Sequence, residues 1–240
     1  SIKMFYSTKG IVLHKTKYSD SSLIVKIYTE AFGTLSFIVK NAYSKKAKIS
    51  ASLFSTMSVL NITFNYLPNR EIFFIKEAVP HKPFLHIPFD LSKNAILLFY
   101  NELLYKLLYQ ADSDSSMFQL IEENLYQLDE ERGRVGDWHI KFLLKLIHHL
   151  GIEPENNYSQ HNSYFSISRE SFVPLFSSSD TLSASASSYL SSLFAEKTVE
   201  KVSKEVRLET LYGLVNYIQV HNEHIGTLTS LSILSEILKK

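Results

Sequence analysis

Between residues 9 and 48 lie Lys9, Lys15, Lys17, Lys26, Lys40, Lys45, Lys46 and Lys48, interleaved with Tyr18, Tyr28 and Tyr43. Only Asp20 and Glu30 offset them. Ammonium groups set against phosphates release condensed counterions, so such a surface binds DNA with steep salt dependence and little regard for base sequence. Tyrosine rings beside the cations offer faces for bases, each worth about 1–3 kcal/mol when one stacks there. The other reading of a single lysine is a solvated strand edge that discourages aggregation. For each tyrosine it is a packing position in or beside a small barrel. We nominate the eight lysines and Tyr43 as nucleic-acid contacts.

The whole-chain charge points the same way. Residues 1–82 carry 12 Lys or Arg against 4 Asp or Glu, a net +8, and the remainder carries 13 against 20, a net −7. A basic block joined to an acidic body suggests a polyanion-binding module on a separate domain.

Catalytic readings find little support. There is no Gly-x-x-x-x-Gly-Lys-Ser/Thr loop for nucleotide phosphates and no Gly-x-Ser-x-Gly elbow. Cysteine is absent, which removes disulfides, thiolate ligands and thiol nucleophiles together. His148 and His149 are adjacent and project roughly 100° apart on a helix, a poor arrangement for shared ligation. His221 and His224 form an i, i+3 pair with no further ligand in view. Glu122, Glu123 and Asp129-Glu130-Glu131 read as a solvated face. No catalytic residue, metal or cofactor is expected. With no apolar run of about 18 residues and no apolar leader core near the first residue, a cytoplasmic protein is the expectation.

The elements that must hold the lysines are short strands. Leu23, Val25 and Ile27 alternate with Ile24, Lys26 and Tyr28, a two-faced strand. Val12-Leu13 lies in a strand before it, Leu35 to Lys40 forms the next, and Gly33 sits where the hairpin needs positive φ. Ile49 to Phe54 is placed to cap a barrel end. Ser58–Phe64 and Glu71–Lys76 add two strands, joined by Leu67-Pro68-Asn69-Arg70, a turn sequence. Five strands in about 80 residues is the count of an OB-fold, although other small barrels share it.

Pro80, Pro83 and Pro88 then punctuate the chain, and the apolar period changes from two to 3.6. Ile96, Leu97, Tyr100, Leu103, Leu104, Leu107 and Leu108 form a helix stripe, with Asp90 or Ser92 as its cap. A second helix carries Phe118, Ile121, Leu125 and Leu128 after Asp114. A third, with Asp137 as N-cap, buries Ile140, Leu143, Leu144, Ile147 and Leu150, with Gly151 at C′ and Pro154 beyond. Residues 154–180 read as loop with a strand pair, and Leu182 to Phe194 as a modest helix. A strong helix through Leu208–Ile218 and a short one through Leu228–Leu238 close the chain. On the third helix Lys141, Lys145 and His149 share one polar face beside Phe142, the combination that an acidic peptide with an apolar end would seek.

The run Lys9-Gly10-Ile11-Val12-Leu13-His14-Lys15-Thr16-Lys17-Tyr18-Ser19-Asp20-Ser21-Ser22-Leu23-Ile24-Val25 resembles the opening of the bacterial recombination mediator family RecO. Thr29 to Ser36, the Lys40–Lys48 loop and the leucine-rich stretch Phe142 to Gly151 resemble it too. Many members carry a four-cysteine zinc site soon after that Leu-Gly; here Tyr158 to Ser166 occupies the place without cysteine, so no zinc site is implied. The resemblance implies an α+β chain: a five-stranded OB-fold over residues 1–82, then a helical domain over 83–240 with a loop-rich segment at 152–180. It also implies binding of single- and double-stranded DNA, annealing of complementary strands, and loading of recombinase onto DNA coated by single-strand-binding protein. The implied partners are RecR and the acidic C-terminal tail of the single-strand-binding protein, for which Lys141, Phe142, Lys145 and His149 are the candidate contacts. The alternatives are a protein-interaction adaptor with no DNA role and, more remotely, a metal-dependent nuclease.

Overall fold

The computed structural model describes residues 4–199 and 202–238. Five strands, β1 Phe5–Lys17, β2 Leu23–Thr29, β3 Gly33–Val39, β4 Val59–Asn65 and β5 Ile72–Pro80, close a barrel in the order β1-β2-β3-β5-β4. The β3–β5 ladder is parallel and the other four are antiparallel, as in an OB-fold. The alternation in β2 sets its register: Leu23, Val25 and Ile27 are fully buried in the barrel core with Phe37, Phe54 and Phe64. Each such side chain contributes about 1.5–3 kcal/mol by leaving water. Ala51 and Phe54, in and just after a short 3-10 helix over Ala51–Leu53, join that core as expected of a barrel cap.

β1 is much longer than the Val12-Leu13 nucleus. Its first half pairs with β4 from Phe5↔Asn65 to Ile11↔Val59, and from Gly10 to Lys17 it pairs with β2, with a bulge between Val12 and His14. Polar Ser7, Thr8 and Lys9 conceal that first half in the sequence.

Two helices join the barrel in the first compact unit, which takes in the chain up to Arg132 together with Leu228–Leu234. They are α1, Leu91–Leu107, and α2, Ser115–Glu130. Asp90 caps α1 by accepting from the Lys93 N–H, and Asp114 caps α2 by accepting from the Met117 N–H. The connection between α1 and α2 lies on the barrel. Gly33 has φ +70°, and a Cβ there would stand 2.3 Å from the Ala111 carbonyl oxygen. Thr34 N–H donates to that same oxygen at 2.9 Å. Gly33 is required twice, by the turn and by this approach. Lys93 is 4% exposed, with its ammonium donating to the carbonyls of Asp129 and Glu131 at the end of α2. The Asp129 carboxylate accepts from the N–H groups of Leu85, His86 and Ile87, which straps the proline-rich connection onto α2.

The second unit comprises Gly133–Thr227 and the chain from Ser235. It contains α3 Trp138–His149, β6 Tyr164–Ser166, β7 Ser171–Val173, α4 Ala184–Phe194 and α5 Lys204–His221. Gly151 follows the α3 C-cap with φ +71°. Asp137 holds the N-cap position of α3, but its side chain makes no cap bond and faces the Arg207 guanidinium at 3.7 Å. The cysteine-free segment before α4 is held by aromatic packing and side-chain clasps. Phe165 and Phe172 are buried at 5.3 Å between ring centroids, with Tyr158 edge-on to Phe172. Asn157 accepts from the Phe172 N–H and donates to its carbonyl, and the Asp180 carboxylate accepts from the Ser166 hydroxyl and the Ser168 N–H. The last helix, α6, spans Thr229–Leu238, and Glu102 of α1 accepts from the Thr229 and Ser230 N–H groups at its start. Among the described residues no helix is long and apolar enough to cross a membrane.

Candidate nucleic-acid interface

The structure sorts the nominated residues into two groups. Lys9, Lys26 and Tyr28 lie on strand faces covered by the unit's own helical portion. The Lys9 ammonium is 2.7 Å from Glu122 of α2 and 3.9 Å from Glu30, with the Phe118 ring 5.5 Å away. The Lys26 ammonium sits 3.4 Å from the Tyr109 ring centroid and donates to the Tyr109 carbonyl. Tyr28 is 1% exposed and donates its hydroxyl to the Asp114 carbonyl at 3.2 Å. Burial, with the Asp114 charge adding to it, pushes that phenol up to about 12. No base reaches the Tyr28 ring, which is a packing residue. The Lys9 and Lys26 ammonium groups thus already have partners within their own unit.

The other group gathers at one end of the barrel. Lys17 of β1 pairs with Leu23 of β2, which pairs with Val39 of β3, so the end of β1 and the exit of β3 share an edge. Lys15, Lys17, Lys40, Lys45, Lys46 and Lys48 are all exposed there. The Tyr43 N–H donates to the Ser21 carbonyl at 3.2 Å and the Ala51 N–H to the Ala42 carbonyl at 2.9 Å, tying the lysine loop to the β1–β2 turn and to the barrel cap. Tyr18 and Tyr43 are both open to solvent. Among the described residues Asp20 is the one carboxylate in this group's reach, 3.8 Å from Lys17 with both side chains solvated. An exposed pair of that kind is worth at most about 1 kcal/mol and yields readily to a phosphate.

A third feature was missed in the sequence. On the outer face of β5 and the turn before it, Leu67, Arg70, Ile72, Phe74 and Lys76 line a groove of about 300 Å³, with Phe5 of β1 forming part of its wall. Phe5 and Phe74 are 44% and 47% exposed. The Lys76 ammonium stands 4.2 Å from the Phe5 ring centroid, and the Lys40 ammonium 5.0 Å from that of Phe74. The Leu67–Arg70 turn closes with an N–H···O bond of 3.3 Å, and Asn69 takes positive φ within it. The available signal was the alternation Ile72-Phe73-Phe74 with Lys76 beyond, which puts Phe74 opposite the core-facing Phe73.

On α3, Lys141 and Lys145 are exposed and His149 is half-buried, while Phe142 is completely buried. Phe142 therefore forms no apolar cleft beside the cations. The position that a 3.6 period places next to Lys141 turns into the core of its own unit. His221 is bound at both ring nitrogens, by the Tyr217 carbonyl and by Glu170. Among the described residues no group of three His, Cys, Asp or Glu side chains is placed to hold a metal ion.

Comparison with known proteins gives a consistent picture. Residues 4–84 match the family model described as Recombination protein O N terminal, and residues 88–231 match Recombination protein O C terminal. A DNA repair protein RecO of Bacteroides fragilis is 35% identical over 170 residues, covering 71% of this chain and 70% of that protein. The RecO proteins of Flavobacterium psychrophilum and Porphyromonas gingivalis, the latter from strain W83, are 26% and 29% identical, each aligned over 98% of this chain and 99% of their own length. With an OB-fold barrel followed by helices and matches to both family models, the chain belongs to the RecO family of DNA repair proteins.

Proposed function

We propose that this chain is a non-enzymatic, cytoplasmic recombination mediator that binds single- and double-stranded DNA, anneals complementary strands and helps load recombinase onto DNA coated by single-strand-binding protein. The observation that carries this reading is the gathering of Lys15, Lys17, Lys40, Lys45, Lys46 and Lys48 at one barrel end, with Asp20 alone among the described carboxylates beside them. Charge presented without base-edge chemistry holds phosphates and leaves Watson–Crick edges free, which annealing requires. RecR and the acidic tail of the single-strand-binding protein are the proposed partners. Lys141 and Lys145 supply exposed cations for the tail, without help from Phe142.

The test is binding of a fluorescent single-stranded oligonucleotide across a salt series, for the intact protein and for Lys40, Lys45, Lys46 and Lys48 changed together to Ala. Each lost phosphate contact removes about 0.7 from the slope of log K against log salt, so the variant's slope flattens by up to about 3. Annealing of complementary strands falls with it. Absence of binding by the intact protein in low salt contradicts the reading and leaves a docking role for the helical part.

A further inference from the structure

We infer that the groove on β5 is a base-stacking site for single-stranded nucleic acid, so that this protein tells single strands from duplex by Phe74 and Phe5 and not by its lysines. The inference rests on the DNA-binding reading above and adds the site that gives strand preference. Lysines on a rim attract the phosphates of any nucleic acid, duplex included. Preference for a single strand needs surfaces that only unpaired bases can meet, and aromatic faces are the sequence-tolerant form of such surfaces.

The groove has the required composition. Phe5 and Phe74 expose nearly half of their surface into it, and Leu67 and Ile72, each more than a third exposed, extend the apolar floor. Arg70 and Lys76 line the same groove. Among the described residues no carboxylate pairs with Arg70, Lys76 or Lys40. Glu71 and Glu77 lie near in sequence, but neither lines the groove.

Each ring already has a cation near it, Lys76 at Phe5 and Lys40 at Phe74, so a base entering the groove brings its phosphate toward an ammonium. Lys40 belongs to the lysine loop, and Ile38, two residues before it, pairs with Phe74 across the β3–β5 ladder. One strand of DNA can therefore pass from the lysine loop to the groove without a gap in charge.

The occupant follows from this continuity. A duplex keeps its bases stacked inside and meets only the lysines. The β2 face that carries Lys26 and Tyr28 is closed to a strand, because the chain's own Tyr109, Asp114 and Phe118 cover it. The β5 face leaves the Phe5 and Phe74 rings exposed beside an apolar floor.

The experiment measures anisotropy with three probes of equal length: fluorescent oligothymidine, an abasic strand and a duplex. It compares the intact protein with the Phe5→Ala/Phe74→Ala double variant. Both rings are exposed, so the variant should fold, and thermal unfolding checks this. The expected result is a loss of about 10–100-fold on oligothymidine, with the abasic strand and duplex bound as before. Phe74→Tyr, which keeps a ring, should retain most of the affinity.

Equal losses on all three probes, or undiminished oligothymidine binding, would overturn the inference. So would capture of an acidic, aromatic-ended peptide that the double variant loses while its oligothymidine binding stays intact, since that would give the groove to a protein partner. The Lys40/Lys45/Lys46/Lys48 variant, run in parallel, separates the two readings. If oligothymidine binding depends on that loop but not on the rings, only the stacking site fails. If the intact protein binds no DNA, both fail.

Discussion

The barrel shows two surfaces made of the same residue types with opposite fates. On one, Lys9, Lys26 and Tyr28 meet Glu122, Tyr109 and Asp114 from the helical part of their own unit. On the other, Lys15, Lys17 and the Lys40–Lys48 loop face solvent beside Tyr18, Tyr43 and Phe74. Part of the charge segregation along the chain is thus internal complementarity. Glu122 answers Lys9, and Glu130 answers Lys82 at 2.6 Å. A basic stretch in a sequence marks an interface only after the lysines that its own helices neutralise are removed. What remains here is a cluster concentrated at one barrel end.

Breaking the cover should have the largest effect. Gly33→Ala forces a Cβ toward the Ala111 carbonyl in a left-handed turn, and a loss of about 3–4 kcal/mol is expected in denaturant unfolding. A variant as stable as the parent would mean that the α1–α2 connection does not rest on the barrel as described.

The strap is next. Burial alone would raise the Asp129 carboxyl, but the N–H groups of Ile87, Leu85 and His86, with the His86 charge, hold it below its ordinary 3.8. A carboxyl with a lowered folded-state pKa stabilises above its unfolded value, and that contribution disappears as pH falls through the folded one. Asp129→Asn should therefore cost about 1–3 kcal/mol at pH 7, with the difference from the parent shrinking below about pH 4. A difference that persisted unchanged at pH 2.5 would remove the carboxylate from the account.

The ion pair between the two parts is smaller. Lys9 and Glu122 side chains are 25% and 15% exposed, between the surface and buried regimes. Glu122→Ala should cost about 1–2 kcal/mol in urea, and restoring a carboxylate as Asp should recover part of it. On the open side, Lys15→Ala with Lys17→Ala should leave stability within about 0.5 kcal/mol. Oligonucleotide affinity at moderate salt should fall roughly 3–10-fold, because two of the exposed cations are lost. Unchanged affinity would confine the interface to the Lys40–Lys48 loop.

Much of the scaffold was legible because its signals are local. Leu23, Val25 and Ile27 announce a strand by period, Gly33 and Gly151 mark chain reversals, and Asp90 and Asp114 mark helix starts. Each of these depends on neighbours within a few residues. The sorting of the lysines was not legible, because it depends on partners such as Glu122, 113 positions from Lys9. Phe142 misled for a related reason: the spacing shows which side chains share a helix face, but not how far the core extends around it. Phe5 and Phe74 escaped because alternation places a ring on the outer face of a strand but does not show whether another element covers that face. The clasp around Phe165 and Phe172 was visible only as aromatic and serine-rich composition.

The most direct test compares Lys9→Met/Lys26→Met with Lys45→Ala/Lys46→Ala by single-strand binding across a salt series, with thermal unfolding of each as the control for folding. The loop pair should lower the salt slope by about 1.4 while the covered pair leaves it unchanged, whatever it does to stability. A slope that falls with the covered pair and holds with the loop pair would contradict the assignment of the interface to the open end of the barrel.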